Sequence, residues 1–286
     1  MRNELWITAG LVITSAAALA ISVTRPAFAQ AQGTTANTIA DTEEQRLADL
    51  ITANHILFDQ GVVDPYGHVS VRSLRNPRHF FLSRSQAPGL VTKDDILEFD
   101  EDSKPVNLSG KPMYSERFIH GEIYRAHPEV QAVVHAHSPA VLPFGVTNVP
   151  LRPLIHTAGF LPDVVPVFEI RSAAGPDNGM LVQDTVVGAA LAKALGSASV
   201  VLMRGHGMAV VGPSVRHAVF RAIYTQLNAQ VELEALKLGT PVFMNQTEAR
   251  KVDEVNEGSL LTTNPRQWLL WEAQARARAT DRGLAK

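Results

Sequence analysis

The chain has 286 residues, 45% of them hydrophobic and 19% charged, with a formal net charge of −2. That length and apolar fraction bury a full core, which excludes a disordered chain and a stapled mini-protein. The balance of 26 basic against 28 acidic residues carries no footprint for nucleic acid. The absence of cysteine removes disulfides, thiolate metal sites and cysteine nucleophiles together. A metal here must use His, Asp or Glu, and ten histidines are present.

Arg2 precedes an uncharged run from Leu5 to Val23, then Pro26 and Ala27-Phe28-Ala29. This is the layout of a secretory signal peptide over residues 1–29, cleaved before Gln30. Export, to a periplasm, is the expectation, with no stable membrane insertion after cleavage. The run is also just long enough for an uncleaved anchor. Residues 30–41 read as a flexible lead-in, and residues 42–286 as one catalytic domain.

Thr42 and Gln45 have capping-box spacing, and apolar residues from Leu47 to Phe58 recur at helical intervals, with Gly61 as the stop. Short strands are expected at His68–Val71 and His79–Leu82. Ser115 is expected to cap a helix from Glu116 to about Ala126. Val130–His137 reads as a buried strand, with Pro139 opening a helix after it. Further strands are expected at Val164–Ile170, Ser199–Met203 and Met208–Val211, and helices over Thr185–Leu195 and from Ser214 to Gly239. Strands without regular crossovers favour a three-layer α/β/α arrangement around a mixed, largely antiparallel sheet. Trp268-Leu269-Leu270-Trp271 opens an amphipathic helix that either packs on its own domain or closes over a neighbour's site.

His135-Ala136-His137 is the most informative tripeptide. Residues two apart in a strand share a face, so both imidazoles project together and make half of a tetrahedral metal site. For the tripeptide alone, a pair of surface histidines is the commoner reading. Gly205-His206-Gly207 follows an apolar run, and its glycines permit a sharp turn and close approach. A third imidazole there would complete a three-histidine catalytic site. Glu116 and His120 lie four apart, so a helix would give them one face. His55, His79, His127, His156 and His217 read as surface or core histidines.

Glu116, His120, His135-x-His137 and Gly205-His206-Gly207, in that order and spacing, resemble the class II aldolase/adducin family over about Thr42 to Gly239. The resemblance implies a largely antiparallel α/β/α domain, often a homotetramer with sites between subunits. It implies a divalent ion, zinc or manganese, on His135, His137 and His206, with Glu116 as ligand and acid/base. The segments Gly67-His68-Val69-Ser70, Leu82-Ser83-Arg84-Ser85 and Tyr114-Ser115-Glu116 depart from the family's phosphate-binding elements. Together with Met203-Arg204-Gly205-His206-Gly207 they resemble the decarboxylase branch, which acts on hydroxylated aromatic carboxylates or carboxy-hydroxymuconic semialdehydes. The implied reaction is loss of carbon dioxide through a metal-stabilised enolate. Arg84, Ser83, His68 and Ser115 are then the expected contacts of a small carboxylate substrate, since a guanidinium grips a carboxylate with two hydrogen bonds. His120 is expected to orient Glu116 or the ligands. Aldolase or epimerase chemistry on a hydroxy-carbonyl compound uses the same enolate, and an adducin-like scaffold without catalysis is the reading from a different class.

Overall fold

The computed structural model describes residues 41–107, 110–258 and 265–284. Residues 1–29, expected to be a signal peptide, lie outside the described residues. Among the described residues, no helix is long and apolar enough to cross a membrane.

Thr42 caps the first helix, α1 (Glu43–Asp59), by accepting from the Gln45 N–H at 3.1 Å. The box is half made, because the Gln45 side chain donates to Asp49 instead, at 2.8 Å. Three antiparallel strands follow: β1 (His68–Arg72), β2 (His79–Ser83) and β3 (Ile96–Asp100). The 3₁₀ turn Ser115–Arg117 leads into α2 (Phe118–Ala126), and β4 (Ala132–Ala136) follows it. Next come short α3 (Leu142–Val146), β5 (Val167–Phe168) and α4 (Arg171–Ala174). Asp184 caps α5 (Thr185–Leu195), which precedes β6 (Val200–Met203) and β7 (Gly207–Gly212). Ser214 caps the long α6 (Val215–Leu238), then α7 (Gln246–Gly258) and α8 (Arg266–Asp281) close the chain.

The strands form one sheet in the order β3-β2-β1-β4-β7-β6-β5, antiparallel throughout except for the β5–β6 edge. Side chains alternate across it. Val69, Val71, Ala132, Val134 and Ala136 face a core shared with α1, α6 and α8. Val133, Val201, Ala209 and Val211 face a second core with Ile119, Ile123 and Leu191 from α2 and α5. This is the expected α/β/α layering, with a sheet apolar on both sides.

Several expectations need correction. Ser115 caps nothing: it sits in the 3₁₀ turn, and Glu116 leaves helical geometry at φ −93°, ψ 20°. The strand expected over Val164–Ile170 pairs with β6 only at Val167 and Phe168. The helix expected at Pro139 begins instead at Leu142, and β3 and α7 were not expected. Trp268 and Trp271 are buried in the core of their own domain, as the first of the two expectations for α8 has it.

Candidate metal centre

β4 and β7 carry the site. His135 is the last-but-one residue of β4, and His137 stands just beyond its end. Their ring nitrogens Nε2 lie 3.1 Å apart, as the shared face requires. His206 occupies the turn between β6 and β7, with its Nε2 3.1 Å from that of His137. Gly205 takes φ +64°, which a side chain disfavours. Gly207 lets β7 pass against β4, because a Cβ there would stand 2.1 Å from the Ala136 carbonyl oxygen. The expected turn and close approach are both present.

Glu116 reaches the same point from the opposite side. Its Oε1 accepts from the Val182 N–H at 2.9 Å. Its Oε2 lies 3.4 Å from His206 Nε2 and 3.7 Å from His135 Nε2. One ligand atom from each of Glu116, His135, His137 and His206 lies within 4.8 Å of every other.

The outer nitrogens explain why these four atoms converge. His135 Nδ1 donates to the Met208 carbonyl at 3.1 Å, and His206 Nδ1 to the Met180 carbonyl at 2.7 Å. His137 Nδ1 donates to both oxygens of Asp64, at 3.1 Å each. A neutral imidazole that donates at Nδ1 has a lone pair at Nε2. Three such lone pairs and a carboxylate therefore point at one another. Burial opposes charge on Glu116, yet the hydrogen bond from His206 and the charges of His135 and His206 hold its carboxyl below the usual range. Burial likewise lowers His206, but Glu116 wins and pushes that imidazole up. His135 is held well below the usual range by burial. A proton on His206 relieves one of the converging contacts; a cation relieves all of them. Tetrahedral zinc with bonds of about 2.0–2.1 Å separates its ligand atoms by about 3.3 Å. The donor set fits a divalent ion, with an acceptor behind each imidazole to fix its orientation.

The other expected site residues are placed differently. His120 does not touch Glu116: the break at Glu116 turns the two apart, and His120 bonds His68 and Ser70 at 2.6 Å each. His68 is buried beside the centre, its ring 5.0 Å from that of His135. Arg84 is held by Asp95 at 2.5 Å, and no bond joins it to the four ligands. Ser83 is sealed behind Tyr114, 3.5 Å from its hydroxyl, and Ser115 is exposed. His55, His79, His127 and His217 bond Val91, Glu98, Ala192 and Ser214 respectively, away from the centre, and exposed His156 lies outside it. Asp64 and Met180 were not anticipated. Met180 sits at φ +60°, with its N–H bonded to Asn178 Oδ1 at 2.8 Å, and this strained turn aims its carbonyl at His206.

Residues 48–233 match the family model described as class II aldolase and adducin N-terminal domain. Decarboxylase tropJ of Talaromyces stipitatus is 39% identical over 244 residues, 77% of this chain and 90% of its own. The 3,4-dihydroxyphthalate decarboxylase of Arthrobacter keyseri is 30% identical over 196 residues, 65% of this chain and 77% of its own. Among solved structures, L-fuculose 1-phosphate aldolase from Glaciozyma antarctica superposes with a TM-score of 0.67 at 20% identity, covering 85% of this chain and 94% of that one. That likeness shows the fold.

Proposed function

We propose that this chain, which belongs to the class II aldolase and adducin family, is a metal-dependent decarboxylase of hydroxylated aromatic carboxylates. That it is a lyase acting on a small molecule follows from the family and its decarboxylase-named relatives. The observation that carries the finer reading is the convergence of three imidazole lone pairs and the Glu116 carboxylate, each imidazole backed by its own acceptor. This arrangement is built for turnover rather than for a passive scaffold.

A divalent ion bound there supplies Lewis acidity for the negative charge left on substrate oxygens when the carbon–carbon bond breaks. His135, His137 and His206 would hold it, and their fixed Nδ1 donors keep the three rings oriented. Glu116 has one oxygen pinned by Val182 and the other at the centre, so Oε2 is positioned to take the proton that a substrate hydroxyl gives up and to return it to the carbon that loses its carboxylate. The complete burial of His135 and near-complete burial of Glu116 keep water from that face.

The test is carbon dioxide release from a panel of ortho-hydroxylated aromatic carboxylates and carboxymuconic semialdehydes, with zinc or manganese supplied. Release from panel members supports the reading. Silence across the panel, with cleavage of a non-phosphorylated hydroxy-carbonyl compound into two carbonyl products, replaces it with a retro-aldol lyase. We further place the enzyme outside the cytoplasm on the pattern of residues 1–29, and in a homotetramer on the family resemblance. N-terminal sequencing of the exported protein and light scattering check these two points.

A further inference from the structure

On the side of the sheet that carries the centre, four polar side chains from β1 and α2 stand in a sealed row. Tyr124 OH lies 2.7 Å from Ser70 Oγ. Ser70 Oγ lies 2.6 Å from His120 Nδ1, and His120 Nε2 lies 2.6 Å from His68 Nδ1. All four residues are buried, and none belongs to the ligand cluster.

The protons in this row can be placed. A buried phenol must donate its single O–H, and Ser70 Oγ is its hydrogen-bonded partner. Ser70 then has its own proton to give, and His120 Nδ1 receives it. A neutral imidazole that accepts at Nδ1 is protonated at Nε2, so His120 donates to His68 Nδ1. By the same rule His68 is protonated at Nε2. The reverse order would strand the Tyr124 O–H without an acceptor in a sealed site, which costs its full desolvation. A ring nitrogen that accepts carries no proton, so with both Nδ1 atoms accepting, each imidazole in the row holds a single proton and is neutral.

The row ends at the centre. Register sets His68 opposite His135 across the β1–β4 pair. Its ring packs against those of His135 and Tyr114, with centroids 5.0 and 4.4 Å away. Among the described residues, no group bonds His68 Nε2, and it is not one of the sealed atoms left without a partner. That nitrogen therefore keeps a trace of solvent contact, although His68 as a whole is only 1% exposed.

We infer that Tyr124, Ser70 and His120 fix His68 as a neutral Nε2–H donor, and that this donor binds the carboxylate of a substrate whose neighbouring oxygens occupy the Glu116–His135–His137–His206 centre. The ligand half rests on the aromatic-carboxylate reading above; the tautomer half does not. A neutral donor also suits decarboxylation. A cation here would hold the carboxylate in the ground state and lose that attraction as neutral carbon dioxide forms, raising the barrier. Tyr124, Ser70 and His120 are positioning residues that act through His68.

The experiment uses the zinc-loaded full chain. Nitrogen-15 shifts of the histidine rings report the tautomer, and calorimetry reports binding of 2,3-dihydroxybenzoate and of catechol, which keeps both ring oxygens but lacks the carboxylate. In the wild type His68 is expected to carry its proton at Nε2. His68→Leu is expected to weaken 2,3-dihydroxybenzoate about 10- to 100-fold and to leave catechol unchanged. His68→Gln, whose amide restores an N–H at that reach, is expected to recover most of the loss. Tyr124→Phe is expected to keep zinc content and catechol affinity while letting His68 populate the Nδ1–H form. A wild-type proton on Nδ1 overturns the relay whatever the ligand proves to be. Equal weakening of both probes in His68→Leu overturns the carboxylate role, as does a wild type that binds neither, which sinks the aromatic reading but not the tautomer.

Discussion

At the scale of single residues, the centre depends as much on what stands behind the imidazoles as on the imidazoles themselves. Asp64 accepts from His137 Nδ1 with both oxygens. Asp64→Asn presents an amide where one acceptor stood, so it is expected to lower metal affinity about 10- to 100-fold while the apo protein melts as before. Metal titration followed by thermal scans of the stripped protein checks both halves. Gly207→Ala forces a Cβ into the Ala136 carbonyl, immediately before His137. It is expected to lower Tm and abolish metal binding together; a metal-replete, fully stable variant would contradict the close approach. The three ligand histidines were legible because strand periodicity and paired glycines are written in residue types. Asp64 was not, since Asp-Pro reads as turn punctuation. The carbonyls of Met180 and Met208 could not be, because backbone acceptors leave no mark in side-chain chemistry.

At the scale of elements, the helix expected from Glu116 illustrates how a local rule is overridden. Spacing of four gives Glu116 and His120 one face only if the helix is continuous. Tertiary demand bends the chain at Glu116, so its carboxylate meets the histidines of β4 and β7 while His120 turns to β1. The long α6 was legible from its Ser214 cap and Gly239 stop. Polar α7 was not, because Ala249 is its buried residue and no apolar stripe marks it. Within α6, Glu232 is buried with Oε1 unpartnered and Oε2 accepting from the Arg152 N–H at 3.1 Å. Burial pushes its carboxyl up to about 7, against an ordinary 4.5. The folded state therefore holds the extra proton, and this group's share of stability, full below about pH 4.5, is lost as pH rises through about 7. Glu232→Gln is expected to raise Tm at pH 8, by roughly 2–4 °C for each kcal/mol relieved, and to leave it unchanged near pH 4.5. An identical effect at both pH values would contradict the buried carboxylate. In α8, Trp268 fills the core beneath Arg216, whose guanidinium lies 4.9 Å from its ring. Trp268→Ala is expected to cost about 3–5 kcal/mol in denaturant unfolding without changing metal affinity. A large loss of metal affinity at constant stability would return α8 to the site.

At the scale of the whole molecule, a sheet buried on both faces does two jobs with one alternation. Odd and even residues of β1 and β4 face opposite layers, so Val69, Val71 and Val134 build one core while His68, Ser70 and His135 build the polar side. The order β1-β4-β7 then brings His68, His135 and the His206 turn side by side. The layered architecture was legible from the mixture of elements. The strand order was not, since pairing between β1 and β4 joins residues far apart in sequence. The pairing of Arg84 with Asp95 was not legible for a related reason: Asp95 comes from a turn that residue spacing does not place. The family's shared metal chemistry leaves the choice of bond to the groups around the centre.

The most direct test of the account combines metal analysis with carbon dioxide release from the same preparation. The wild type is expected to hold about one divalent ion per chain, to lose release on chelation and to regain it when metal is restored. His206→Ala is expected to lose both ion and release. Undiminished release from chelated wild type, or from a metal-free His206→Ala variant, would contradict the claim that His135, His137, His206 and Glu116 form a catalytic metal centre.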